Sequence, residues 1–185
     1  MSVAVVDREE RITGMDTFKS PMEHVEPPRI GAEREALAGW LDFHRAELLS
    51  KLDGLANEQA DRRVVASLTT LHGLVRHLTK VEFVWFVTVI TRSDEPAPFG
   101  WPDRVDGDFL LEDGESVEAD VARFVAACER SREIFAGVDL DDVRTHRRFG
   151  DIDVRWIMLH MIEEYAQHNG HADILRELID GTTQS

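Results

Sequence analysis

The sequence predicts an all-α fold, a four-helix bundle with an extended N-terminal arm and a long connection between helices 2 and 3. Four stretches repeat apolar residues at three- and four-residue steps, the period of a helix packed along one side. Each is bounded by cap or breaker residues, and strand signals are few. With 185 residues, 43% of them hydrophobic, the chain can bury one core without disulfides.

Residues 1–30 mix charges with Thr13-Gly14, Pro21 and Pro27-Pro28 and keep no period. A loosely ordered arm packed as an extended strap is expected there, ahead of a domain over 31–181 and a tail over 182–185. Helix 1 follows Gly31, with Leu37, Trp40, Leu41, His44, Leu48 and Leu52 on its seam and Gly54 at its end. A short helical turn is expected over 57–62. Helix 2 takes its cap from one of the residues between Ser67 and Thr70 and runs to about residue 90, with Leu71, Leu74, Leu78, Val81 and Trp85 inward. Between 91 and 115, Pro96, Pro98, Gly100, Pro102, Gly107 and Gly114 mark a long surface connection, whose Phe99, Trp101 and Phe109 suit a cover for one end of the domain. Ser116 caps helix 3, with Val121, Phe124, Val125, Cys128 and Phe135 as its stripe and Gly137 closing it. After a turn at Phe149-Gly150, Asp153 caps helix 4, which runs from 154 to about 179 with Gly181 beyond.

The net charge of -15 opposes binding to nucleic acid or to anionic membranes, both of which need Lys and Arg in excess on one face. The longest apolar run, residues 83–90, is shorter than the about 20 residues a membrane-spanning helix needs. One cysteine, Cys128, excludes an intrachain disulfide and a zinc knuckle, and its place on an apolar stripe reads as core. No secretory leader is visible, so a cytoplasmic protein is expected. The GxSxG, HExxH, Walker and GxGxxG patterns are absent from the sequence.

Chemistry gathers on helix 4. Ile157, Met161, Glu164, His168, His171, Leu175 and Leu178 fall within a sector of roughly 100°, so a carboxylate and two imidazoles are expected on the inward seam. An unpaired buried carboxylate is costly, and a divalent metal ion suits this residue set as its partner. Glu164 and His168 stand one turn apart and can converge on one ion, with His77, flanked by Leu74 and Val81, as third ligand from helix 2. One carboxylate and two imidazoles suit zinc or nickel and leave positions for water or substrate. Spacing alone is equally compatible with core-edge histidines bonded to polar neighbours and Glu164 in an ordinary ion pair.

His171, one turn after His168, reads either as an alternative ligand or as a base for a bound thiol or water. His160 flanks the same face as a weaker candidate. Gly170, inside a helix where it costs about 1 kcal/mol, points to a close approach by another backbone or a ligand, or to a kink. His44 reads as a core-edge residue, and His72 and His146 have no partner at ligand spacing. Arg45, Arg76 and Arg155 are candidates for holding a substrate carboxylate, with solvated surface charge as the preferred reading.

The segments LHGLVRHLTKVEFVWF and LHMIEEYAQHNGHADILRELIDG resemble the DinB/YfiT-like superfamily of metal-dependent enzymes, in particular its mini-circle branch, over about residues 33–181. The resemblance implies a four-helix bundle, often dimeric, in which His77 takes the position of the single ligand on helix 2 and Glu164 and His168 those of the pair on helix 4. Many relatives carry histidine where Glu164 stands. The related mycothiol-dependent maleylpyruvate isomerase resembles this chain in pairing glutamate with histidine. What the resemblance implies for function is a thiol-dependent transferase or isomerase: the ion binds a low-molecular-weight thiol such as mycothiol and presents its thiolate to a small electrophile. A metal-dependent hydrolase, with Glu164 or His171 handling protons, and a non-catalytic helical binding protein are the competing readings.

Overall fold

The computed structural model describes residues 17–104, 106–111 and 115–183. Within them the chain is mostly helical, with a small two-stranded sheet. Four long helices pack together: α1 (Glu33–Ser50), α3 (Leu71–Glu82, continued as a π-helix over Phe83–Ile90), α4 (Val117–Ala136) and α5 (Val154–Asp180). The short α2 (Asn57–Ala60) connects the first two. Contacts are densest between α1 and α5 and between α3 and α4, and α3 also meets α5.

The helix starts follow their caps. Thr70 accepts from the Gly73 N–H, Ser116 from Ala119 and Asp153 from Trp156, each satisfying a donor that the first turn leaves unpaired. From Thr17 on, the arm runs extended along the helices. Phe18 exchanges backbone bonds with Leu55 and Gly54 at 2.9 Å each. Pro28 lies so close to Gly39 that a Cβ there would stand 2.5 Å from the ring. Residues 1–16 of the arm, Gly114 of the long connection, and 184–185 of the tail lie outside the described residues.

The all-α expectation is corrected by β1 (Val143–His146) and β2 (Gly150–Asp153), an antiparallel hairpin with His146 opposite Gly150 and Val143 opposite Asp153. Each strand has four residues, and Arg, His, Gly and Asp dilute their β-propensity, so no alternation was visible.

Helix seams are shifted too. On α5 the buried line is Ile157, Met161, Tyr165, Ala172, Leu175 and Ile179, while His171 and Leu178 are exposed. The true seam keeps Ile157, Met161 and Leu175 but is turned roughly 45° from the predicted one, which leaves Glu164 and His168 half-buried at its edge. Trp40, placed on the α1 seam by periodicity, is 45% exposed. Gly170 is exposed, and a Cβ there would meet nothing within 4 Å, so no backbone approaches it closely. Gly170→Ala is therefore expected to stabilise the protein by about 0.5–1 kcal/mol, read from urea unfolding.

Arg45 and Arg76 are not surface charges. Arg45, 2% exposed, makes a bidentate pair with buried Glu82 at 2.8 and 2.7 Å. Tyr165 Oη donates to the same carboxylate at 2.7 Å. Arg76, also 2% exposed, donates to Asp120 and to the carbonyls of Asp108 and Gly107. Arg155 is partly exposed and tied to Glu33 and Asp141.

His72 has partners that ligand spacing could not reveal. It is buried between Asp61 at 2.7 Å and Asp120 at 2.9 Å. Burial opposes its charging, but the two carboxylates outweigh it and raise its pKa. A raised folded-state pKa gives stability that is complete below the unfolded value of about 6.5 and fades as pH rises through the folded value. His72→Gln is expected to flatten this alkaline decline, so urea unfolding of the two proteins from pH 6 to 9 should show their stability gap narrowing as pH rises.

Candidate metal centre

His77 comes from the middle of α3, and Glu164 and His168 from consecutive turns of α5, so the three meet where these helices face each other. Each can offer one ligand atom, and the three atoms lie within 4.8 Å of one another. Glu164 Oε1 stands 3.6 Å from His77 Nε2 and 3.6 Å from His168 Nε2. That is too long for a hydrogen bond. It is close to the about 3.4 Å that separates two atoms each about 2.1 Å from a tetrahedral zinc ion.

A second observation supports the fit. His77 Nε2 is buried and has no hydrogen-bond partner among the described residues. Its other nitrogen, Nδ1, is bonded to Asp108 at 2.7 Å, which fixes the ring and leaves Nε2 aimed at Glu164. Asp108 is 1% exposed and is also paired with Lys80. Phe109 stacks on the His77 ring at 5.3 Å between centroids. The loop sits this low because Gly73 has no side chain: a Cβ there would lie 2.8 Å from the Phe109 ring.

The charges follow from this packing. The His168 and His77 imidazoles hold the Glu164 carboxyl well below the usual carboxylate range, against the effect of burial. Burial pushes Asp108 up, but His77 and Lys80 outweigh it and hold its pKa at about 2. Burial lowers the His77 pKa, and Asp108 and Glu164 more than reverse this. The site thus draws a positive charge between its imidazoles and its carboxylate, and a divalent cation meets that demand more fully than a proton.

Of the other candidates, His171 is exposed and lies behind His168, with the two Nδ1 atoms 3.4 Å apart. The structure does not bring His160 into the cluster. It stacks on Trp156 at 5.0 Å and meets Trp85 at 4.8 Å, in an aromatic group with His146 and Phe149. His44 lies against Asn169, which donates to its carbonyl at 3.0 Å. Cys128 is fully buried and its thiol pKa is pushed up by burial and by Glu82, so it is no nucleophile.

Asp108 is the residue that sequence reasoning missed. It lies in a stretch dense in Pro and Gly that read as surface, and nothing local marks it as buried. The signal available was its neighbour, since an aromatic in such a loop has to cover something. Asp108→Ala is expected to weaken zinc binding about 10- to 100-fold with His77, Glu164 and His168 intact, measured by competition with a chelating dye.

The family match places this chain, with His77 on α3 and the Glu164–His168 pair on α5, in the DinB/YfiT-like superfamily. Within that superfamily, a family model described as mycothiol-S-transferase matches residues 36–181, and the chain belongs to this family. Comparison with curated proteins finds no match. Among the described residues no helix is long and apolar enough to cross a membrane.

Proposed function

We propose that this protein is a metal-dependent thiol transferase on a DinB-like four-helix bundle, joining mycothiol to a small electrophile. The observation that carries the metal centre is the His77 Nε2 atom, buried without a partner and facing Glu164 and His168. The family match supports the thiol. His77, Glu164 and His168 hold the ion, with zinc or nickel matching a donor set of two imidazoles and one carboxylate. Such an ion lowers the pKa of a thiol bound to it and so supplies thiolate at neutral pH.

The chain's own residues prepare that step. Asp108 orients His77, and Phe109 covers its ring from water. His171, exposed beside His168, receives the thiol proton and passes it to solvent. The sulfur electron pair then forms a bond to the electrophilic carbon, and the bond from that carbon to its leaving group breaks with its pair on the leaving group. Glu164 remains ionised throughout, which keeps its ligand oxygens available.

Two measurements test the reading. Protein purified without added metal and then loaded with zinc or nickel should retain about one ion per chain by elemental analysis. The loaded protein should consume 1-chloro-2,4-dinitrobenzene only when mycothiol is present. Turnover of the electrophile that persists without thiol would favour hydrolysis and overturn the proposal.

A further inference from the structure

The helices that carry the metal centre lead along their shared face to an aromatic corner. They run antiparallel: the His77 and His168 rings meet at 4.6 Å between centroids, and eight residues on, in opposite senses, the Trp85 and His160 rings meet at 4.8 Å. Eight residues of α5 span about 12 Å, and Glu164 stands midway between His160 and His168. Trp85, His146 and Phe149 lie near parallel, with interplanar angles of 24–25°. Trp156 and His160 stack at 18° and cross those rings at 50° to 71°. We propose that this corner is the subsite for the electrophile, and that it takes an aromatic ring bearing an acidic group. The inference rests on the thiol-transfer reading and adds the substrate class to it.

The rings select a ring. The corner is not sealed core: Phe149 is 40% exposed, and His146, Trp156 and His160 are half-buried. Their open faces and edges favour a planar aromatic partner over an aliphatic chain, because stacking adds to the area buried. The hairpin is fastened over the groove, since Arg144 Nε donates to the Ile90 carbonyl at 2.8 Å. The charges select an acid. In a chain of net charge -15, Arg147 and Arg148 at the hairpin tip are exposed, and among the described residues neither forms an ion pair. The Arg148 guanidinium lies over the Phe149 ring at 5.1 Å. Burial, Arg147, His160 and Arg148 lower the His146 pKa and keep that imidazole neutral. Its Nδ1 accepts from the Arg148 N–H at 3.2 Å, which puts its proton on Nε2, a donor with no partner among the described residues. Glu163, beside the corner, is engaged by His160 Nδ1 at 3.4 Å. An acidic group on a bound ring thus meets two guanidiniums and an imidazole N–H. The corner begins one turn of α5 from Glu164, so a reactive carbon on that ring stands within reach of a thiol held at the metal centre.

The test is equilibrium dialysis of the full chain, zinc-loaded and metal-stripped, with two unreactive probes of one shape, 3,5-dinitrobenzoate and 1,3-dinitrobenzene. The benzoate should bind saturably to both forms, about tenfold more tightly than the neutral ring. Arg147→Gln combined with Arg148→Gln should weaken the benzoate about tenfold, to the level of the neutral probe, and leave the neutral probe unchanged. Phe149→Ala, at an exposed position that should not disturb folding, should weaken both probes about fivefold, and Phe149→Tyr should restore them. In turnover with mycothiol, the double arginine variant should raise KM for 4-chloro-3,5-dinitrobenzoate about tenfold with metal content unchanged. Equal binding of the two probes, no saturable binding, or a KM indifferent to the arginine pair would each overturn the assignment. So would benzoate binding confined to the zinc-loaded chain, which places the carboxylate on the ion. The dialysis needs neither thiol nor chemistry, so its failure is distinct from failure of the transferase reading, which shows as absent thiol-dependent turnover.

Discussion

Arg45→Leu is expected to destabilise the protein by about 3–5 kcal/mol, the usual cost of leaving one member of a buried ion pair without its partner. Arg45 and Glu82 are bonded twice, at 2.8 and 2.7 Å, and Glu82 is 0% exposed. With the guanidinium gone, Tyr165 Oη alone remains as a full hydrogen bond to the carboxylate, since Cys128 Sγ is 4.0 Å away. For a domain of this length the loss corresponds to a fall in Tm of about 10 °C. Because the penalty comes from the stranded charge rather than from lost attraction, the double variant Arg45→Leu with Glu82→Leu should recover most of it. Calorimetry on the three proteins checks both statements. A single variant within about 0.5 kcal/mol of the wild type would contradict the assigned burial of this pair.

His168→Ala is expected to lower zinc affinity by about a thousandfold. Zinc sites with four protein ligands release about 10–16 kcal/mol, so each ligand carries about 3–4 kcal/mol, or two to three powers of ten. His77→Ala should lose as much, and somewhat more than Asp108→Ala, which leaves all three ligand atoms in place. His171→Ala should leave affinity within about tenfold of wild type, because that imidazole is not among the three ligand groups that converge on the site. Competition titrations against a chelating dye rank the four variants. Equal losses for His168→Ala and His171→Ala would place His171 among the ligands instead.

The helices were legible because their signals are local. Thr70, Ser116 and Asp153 cap where their side chains imply, and three- to four-residue spacing identifies each long helix. Facing was less legible. A rotation of roughly 45° in the α5 seam is enough to place His171 inward when it is exposed and to overlook Tyr165, which is buried. The relation of Glu164 to His168 survived that error because an i,i+4 pair converges whichever way the helix turns. What sequence could not supply were partners distant along the chain: Asp108 on His77, Asp61 and Asp120 on His72, Glu82 on Arg45. Charged residues read singly look like surface, and these pairs are buried only because the fold brings opposite charges together.

X-ray absorption on the zinc-loaded protein tests the metal centre most directly, because it reads the identity of the ligands as well as the presence of an ion. The spectrum should show outer-shell scattering from two imidazoles and nitrogen or oxygen neighbours at about 2.0–2.2 Å. In His77→Ala and His168→Ala the imidazole contribution should fall by half or the ion should be lost. A wild-type spectrum with oxygen neighbours alone and no imidazole scattering would contradict a centre built from His77, Glu164 and His168.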